Sequence, residues 1–122
     1  MFDHISFAVR DLAKTRAFYE AALAPLGLVL QRDSPGVIAF GRPGRPQLWF
    51  GAKEGAQTGV HIALRATTRA QVDAFHAAAL AAGGQDNGAP GLRPQYTPTY
   101  YGAFVLDPDG HNLEAVCRAA ET

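Results

Sequence analysis

The chain has 122 residues, 48% of them hydrophobic and 18% charged, and its 11 basic side chains balance 11 acidic ones. That length and composition predict one folded domain and exclude a disordered chain, and the charge balance argues against a nucleic-acid partner, which calls for a basic excess. No apolar run approaches the ~20 residues that span a bilayer. Met1-Phe2-Asp3-His4 does not read as a signal peptide, and the single Cys117 excludes an internal disulfide or a cysteine-based zinc cluster; the expected setting is cytoplasmic.

Residues 2–9 alternate, with Ile5, Phe7 and Val9 on one face and His4, Ser6 and Ala8 on the other, as in a half-buried strand. Asp11 is placed to cap a helix reaching about Ala24, which Pro25 and Gly27 end. Apolar runs at 28–32, 37–41 and 47–52 read as strands, with turns at Ser34-Pro35-Gly36 and Pro43-Gly44. A second alternation covers 60–66, and Thr68 then caps a helix to about Ala82 with Val72, Phe75, Ala79 and Ala82 as its apolar stripe. Gly83-Gly84 stops it. Residues 85–99, with Gly88, Pro90, Gly91, Pro94 and Pro98, show little periodicity and read as a long loop with at most a faint strand, either a surface insertion or a lid. The last strands fall near 100–106 and 111–117, joined by the turn Asp107-Pro108-Asp109-Gly110.

The order of these elements repeats. A shift of 57 residues aligns 4–27 with 61–84, and ten of the 24 pairs are identical. Alanine pairs carry little information, but His4/His61, Ile5/Ile62, Phe18/Phe75, Leu23/Leu80 and Gly27/Gly84 match the strand, the helix core and the stop. The chain therefore reads as an α+β domain of two modules, about 1–56 and 57–122, each β-α-β-β-β.

The repeat gives the histidines a direction. The apolar strand faces must meet the helices, so His4 and His61 point to the opposite side of the sheet. In the last strand Leu113, Ala115 and Cys117 form the helix-facing set, which puts Asn112, Glu114 and Val116 on the histidine side. A carboxylate in the apolar run Leu113-Glu114-Ala115-Val116 is costly unless paired, hydrogen-bonded or metal-bound. Two His and one Glu from three strands make a facial ligand set for a divalent transition metal. Taken singly, each histidine also fits a surface role, and Glu114 also fits an ion pair with Arg65 or Arg118.

The segments Asp3-His4-Ile5-Ser6-Phe7-Ala8-Val9-Arg10-Asp11-Leu12, Ala17-Phe18-Tyr19, Leu26-Gly27, Gly59-Val60-His61-Ile62-Ala63-Leu64 and Asp107-Pro108-Asp109-Gly110-His111-Asn112-Leu113-Glu114 resemble the vicinal-oxygen-chelate superfamily. That superfamily includes glyoxalase I, fosfomycin-resistance proteins, extradiol dioxygenases and bleomycin-resistance proteins. The resemblance covers almost the whole chain. It implies paired βαβββ modules whose curved mixed sheets surround a cavity, in a homodimer acting on a small molecule. It implies a divalent ion (Zn, Ni, Mn or Fe) on His4, His61 and Glu114, with Glu114 also the catalytic candidate. In the glyoxalase and fosfomycin-resistance branches, ligands of one site come from both subunits.

The fourth ligand position of glyoxalase I departs. Aligning Pro43–Leu48 with Pro108–Leu113 pairs Trp49 with Glu114, and an indole cannot ligate a metal. Trp49 then reads as a stacking wall or as core filling, and Gln47 as a polar neighbour on its face. If the Asp107–Gly110 turn closes directly, 103 lies opposite 114 and Tyr101 faces the cavity, with Tyr100 on the helix side; a one-residue bulge exchanges them. Arg65 alternates onto the His61 face, either to hold an anionic substrate or in a surface ion pair. His111 reads as exposed. Two functions fit: a divalent-metal enzyme on a substrate with neighbouring oxygens, or a metal-free binding protein of the bleomycin-resistance type with Trp49 and Tyr101 as cavity walls.

Overall fold

The computed structural model describes residues 1–120. The first half runs β1 (Ile5–Val9), α1 (Leu12–Leu23), a 3₁₀ turn (Ala24–Leu26), β2 (Val29–Ser34), β3 (Val37–Arg42) and β4 (Arg45–Ala52). The second runs β5 (His61–Arg65), α2 (Arg69–Ala81), β6 (Gln85–Leu92), β7 (Tyr101–Leu106) and β8 (Asn112–Cys117). Two separate sheets result, ordered β1-β4-β3-β2 and β5-β8-β7-β6. In each, the strand before the helix pairs in parallel with the module's last strand, and the other pairings are antiparallel. The expected α+β architecture of two equal βαβββ modules is the one observed.

Local chemistry explains the elements. The Asp11 carboxylate accepts from the Lys14 backbone N at the start of α1. Thr68 and Gln71 form a full capping box on α2. Gly27, at φ 76°, turns the chain out of the first helical segment in a conformation that a side chain would strain. Phe18, Tyr19 and Leu23 of α1 and Val72, Phe75 and Ala79 of α2 are buried in one continuous core with Phe7, Phe40 and Phe50 of the first sheet and Val105, Leu113 and Ala115 of the second. Burying one such large apolar side chain contributes about 1.5–3 kcal/mol. Each helix lies on the inner face of its own sheet, and the helices pack on each other. Both inner faces thus look into the shared core, and the outer faces point away from it.

Two expectations need correction. Residues 85–92 are not loop but strand β6, paired with β7. The register shifts at Asp86/Gly88 and again at Gly88/Gly91, and such bulges erase the period-two pattern that identifies a strand. Gly88, at φ 151°, sits where a Cβ would come 2.8 Å from the Phe104 ring. The remaining loop, 93–100, is held by Arg93 N donating to Tyr100 O at 2.7 Å and Tyr100 N donating to Thr97 O at 3.1 Å.

His111 is the second: it is buried at 1% exposure. Asp107 N donates to His111 O at 2.9 Å, so the β7–β8 connection includes His111 and is one residue longer than the tetrapeptide alone. The Asp107 carboxylate organises this connection, accepting from the Tyr19 hydroxyl at 2.5 Å and from the Asp109 and His111 backbone N atoms at 2.9 Å each. The His111 ring accepts from Val60 N at 3.2 Å and lies tilted against the Phe7 ring, 5.1 Å between centroids.

Candidate functional site

The longer β7–β8 connection sets which side chains meet. Leu106 pairs with Asn112, and the register continues through Phe104–Glu114 and Gly102–Val116 to Tyr101–Cys117. Every residue of β7 is displaced by one from the directly closed turn. Tyr101 therefore faces the helix, where its hydroxyl donates to Asp73 of α2 at 2.6 Å. Tyr100 takes the outer face instead. The expected placement of Tyr101 beside Glu114 is thus corrected, and the exchange follows from one added residue in the connection.

On that outer face Glu114 is 1% exposed, and both of its carboxylate oxygens are used. Tyr100 Oη donates to Oε2. Oε1 lies 2.8 Å from His61 Nε2. The His61 side chain is 53% exposed, so the buried carboxylate reaches solvent through the imidazole. Burial first, and the hydrogen bond to Glu114 second, push the Tyr100 phenol up to about 12, which keeps it a donor to Glu114 well into the alkaline range. Neither Arg65 nor Arg118 pairs with Glu114. The Arg118 guanidinium lies 4.9 Å over the Tyr100 ring, and Arg65 stands exposed on the His61 face, beside Val116 in the register.

The first sheet presents a different surface. His4 lies just before β1, exposed, with Nδ1 2.6 Å from Asp3 Oδ1 and its ring 6.4 Å from Trp49. Trp49 is half-buried on β4, its Nε1 donating to Pro46 O at 2.9 Å and its ring covered by the Arg32 guanidinium at 5.6 Å. An open cleft of about 620 Å³ is lined by His4, Gln47 and Trp49 together with Ser6, Arg45 and Phe2. Three of the residues singled out from the sequence thus share one cleft.

The two sheets carry matching positions. Ser6 pairs with Trp49 and Ala63 with Glu114; the two pairings differ by 57 residues in the first strand and 65 in the last, the offsets read from the sequence. Within one chain, however, His61 and Glu114 sit together on the second sheet while His4 sits on the first. Among the described residues no group of three His, Cys, Asp or Glu side chains is placed to hold a metal ion. The donor chemistry of the His61–Glu114 pair does suit a divalent transition metal: an imidazole nitrogen and a carboxylate oxygen 2.8 Å apart can share one cation with bonds of about 2.1 Å. One chain supplies two adjacent donors and a third elsewhere. Tyr100 is the functional candidate that the sequence reading put on the wrong face; its signal is the length of the connection closed by His111. Among the described residues no helix is long and apolar enough to cross a membrane.

Comparison with known proteins agrees with this architecture. Among proteins of curated function none matches the chain. A solved glyoxalase/bleomycin resistance protein from Albidiferax ferrireducens T118 is 29% identical, with a TM-score of 0.83 over 98% of this chain and 99% of that one. A glyoxalase/bleomycin resistance protein/dioxygenase family enzyme from Burkholderia phytofirmans PsJN is 20% identical, with a TM-score of 0.72 over 96% and 98%. A putative glyoxalase from Bacillus halodurans is 21% identical, with a TM-score of 0.73 over 96% and 95%. The model of the Glyoxalase/Bleomycin resistance protein/Dioxygenase superfamily matches residues 1–115, and with the paired βαβββ modules already described, the chain belongs to that superfamily.

Proposed function

We propose that the protein is a divalent-metal enzyme acting on a small molecule with neighbouring oxygens, and that it works as a homodimer. In this reading His4 of one subunit and His61 and Glu114 of the partner subunit hold the ion, so that the outer face of one sheet meets the outer face of the other sheet in a second copy. The observation that carries the reading is Glu114: a carboxylate at 1% exposure, held by Tyr100 and presented through His61 at a solvent-facing surface. Burying such a charge costs several kcal/mol unless its partners offset it.

Zn, Ni, Mn and Fe all fit a His/His/Glu donor set, and the ion when bound supplies Lewis acidity to the substrate oxygens. The chain's own residues bind and orient. Trp49 offers an apolar wall, Gln47 an amide that donates and accepts, and Arg65 a cation on the His61 face for an anionic group. Isomerisation, thiol addition and oxygenation are all compatible with this arrangement. The test is metal analysis and sedimentation of protein purified without chelator. The reading expects stoichiometric metal and a species of about twice the 13.0 kDa chain mass. A monomer at micromolar concentration, or His61→Ala binding metal as well as wild type, overturns it.

The Trp49-lined cleft supports a second reading, a metal-free protein that sequesters an apolar ligand. Ligand quenching of the single tryptophan, unchanged by chelator and by His4→Ala, is its expected signature. Tight stoichiometric metal counts against it.

A further inference from the structure

The geometry points to Tyr100 as a positioning residue that reserves Oε2 of Glu114, leaving Oε1 as the one carboxylate atom available to a bound cation. This rests on the metal-binding reading proposed above. It adds what that reading leaves open, namely how the carboxylate binds and which ions it favours.

Three observations carry it. First, the Tyr100 hydroxyl donates to Oε2 while Oε1 alone lies beside His61 Nε2, so the two oxygens are unequal before any ion arrives. Second, the phenol is held from several sides. Tyr100 is 8% exposed; Arg118 lies over its ring at 4.9 Å, the Tyr96 ring meets it at 5.0 Å, and its backbone is tied to Arg93 and Thr97. A ring so fixed does not swing away to free the second oxygen. Third, the strand makes room for this contact. Gly102 lies between the two groups, and a Cβ there would be 3.1 Å from Tyr100 Cε1 and 3.3 Å from Glu114 Oε2. A side chain at 102 would press on both partners of the hydrogen bond.

A carboxylate limited to one oxygen is a monodentate ligand. Calcium gains from bidentate carboxylates and from six to eight oxygen donors, whereas imidazole with single-oxygen carboxylate suits the later first-row transition metals. Any nitrogen–oxygen site favours Co(II), Ni(II) or Zn(II) over Mn(II); by fixing the binding mode of Glu114, Tyr100 widens that preference and disfavours Ca(II).

The experiment titrates wild type, Tyr100→Phe and Gly102→Ala with Co(II), reading the visible d–d bands, and repeats the titration with Mn(II). Circular dichroism and thermal melting check that each variant folds. In wild type, the expectation is Co(II) binding well ahead of Mn(II). Tyr100→Phe keeps the ring and releases Oε2. Its Co(II) bands are expected to weaken as a further Co–O bond forms, and the preference for Co(II) over Mn(II) to narrow by about 10-fold. Gly102→Ala keeps the hydroxyl but crowds it, and is expected to shift the bands in the same direction. Wild type that binds Co(II), with bands and metal preference unchanged in both folded variants, overturns the role of Tyr100 alone. Wild type that binds neither ion overturns the metal-binding reading and this inference together.

Discussion

Replacing Tyr19 by Phe tests whether the Asp107 carboxylate organises the β7–β8 connection. Tyr19 is 1% exposed and Asp107 7%, and the phenol donates to Oδ2 at 2.5 Å while Oδ1 takes the two backbone N–H groups. Phe fills nearly the same volume, so the cavity term is small and the cost is that of a hydrogen bond to a buried carboxylate. Such bonds contribute about 1.5–3 kcal/mol, and Oδ2 is left without its buried donor. Unfolding entropy of about 2.1 cal/mol/K per residue over this chain gives about 0.26 kcal/mol/K, so a loss of about 2 kcal/mol lowers Tm by about 8 °C. Thermal melting followed by circular dichroism, with urea unfolding for the free energy, measures both. Tyr96→Phe is the control, since Tyr96 is 59% exposed and surface changes stay within about 0.5 kcal/mol. A Tyr19→Phe variant as stable as that control refutes the argument, because the connection would then hold without its central acceptor.

Gly84→Ala is expected to lose about 1–3 kcal/mol by overpacking, since its Cβ would lie 2.5 Å from Val105 Cγ1 and 2.7 Å from Phe18 Cε1; an unchanged urea midpoint contradicts this. Alkaline pH offers a separate check. The Tyr100 phenol ionises at about 12 in the folded protein, against an ordinary value near 10, so the folded state holds the proton more tightly. The stability this provides is complete below about pH 10 and lost as pH rises toward 12. Wild type is therefore expected to exceed Tyr100→Phe in stability by a constant margin up to about pH 10, and by a shrinking one above it. A margin that stays constant to pH 12 refutes this.

Most of the fold was legible because its signals are local. The alternation at Ile5, Phe7 and Val9, the caps at Asp11 and Thr68 and the glycine stops each act over a few residues, and the 57-residue shift joined them into two modules. Strand β6 was missed because its two register shifts break the alternation, and Gly88, Pro90 and Gly91 mimic loop composition. The face carrying His61 and Glu114 followed from strand parity alone. The face of Tyr100 did not, because parity across a turn depends on the exact length of the connection. That length was decided by His111, whose carbonyl accepts from Asp107 N, and by Tyr19 from the other module. No local pattern around Tyr100 contains that information.

The divergence of Trp49 from Glu114 follows from the same registers. Trp49 lies opposite Ala39 as Glu114 lies opposite Phe104, so the equivalent of Tyr100 in the first module is Pro35, in the turn before β3. Proline has no side-chain donor. A buried carboxylate at 49 would lack the phenol that satisfies Oε2 of Glu114, and would carry the full desolvation cost. The indole avoids that cost: its one polar atom is satisfied by Pro46 O within its own strand, and its ring is free to meet Arg32 and to line the cleft. One module thus carries the groups a charged donor needs, Tyr100, Gly102 and His61, while the other carries an aromatic wall at the matching place. In the proposed dimer a donor face would meet a wall face, whereas two identical second-sheet faces would bring two buried carboxylates together.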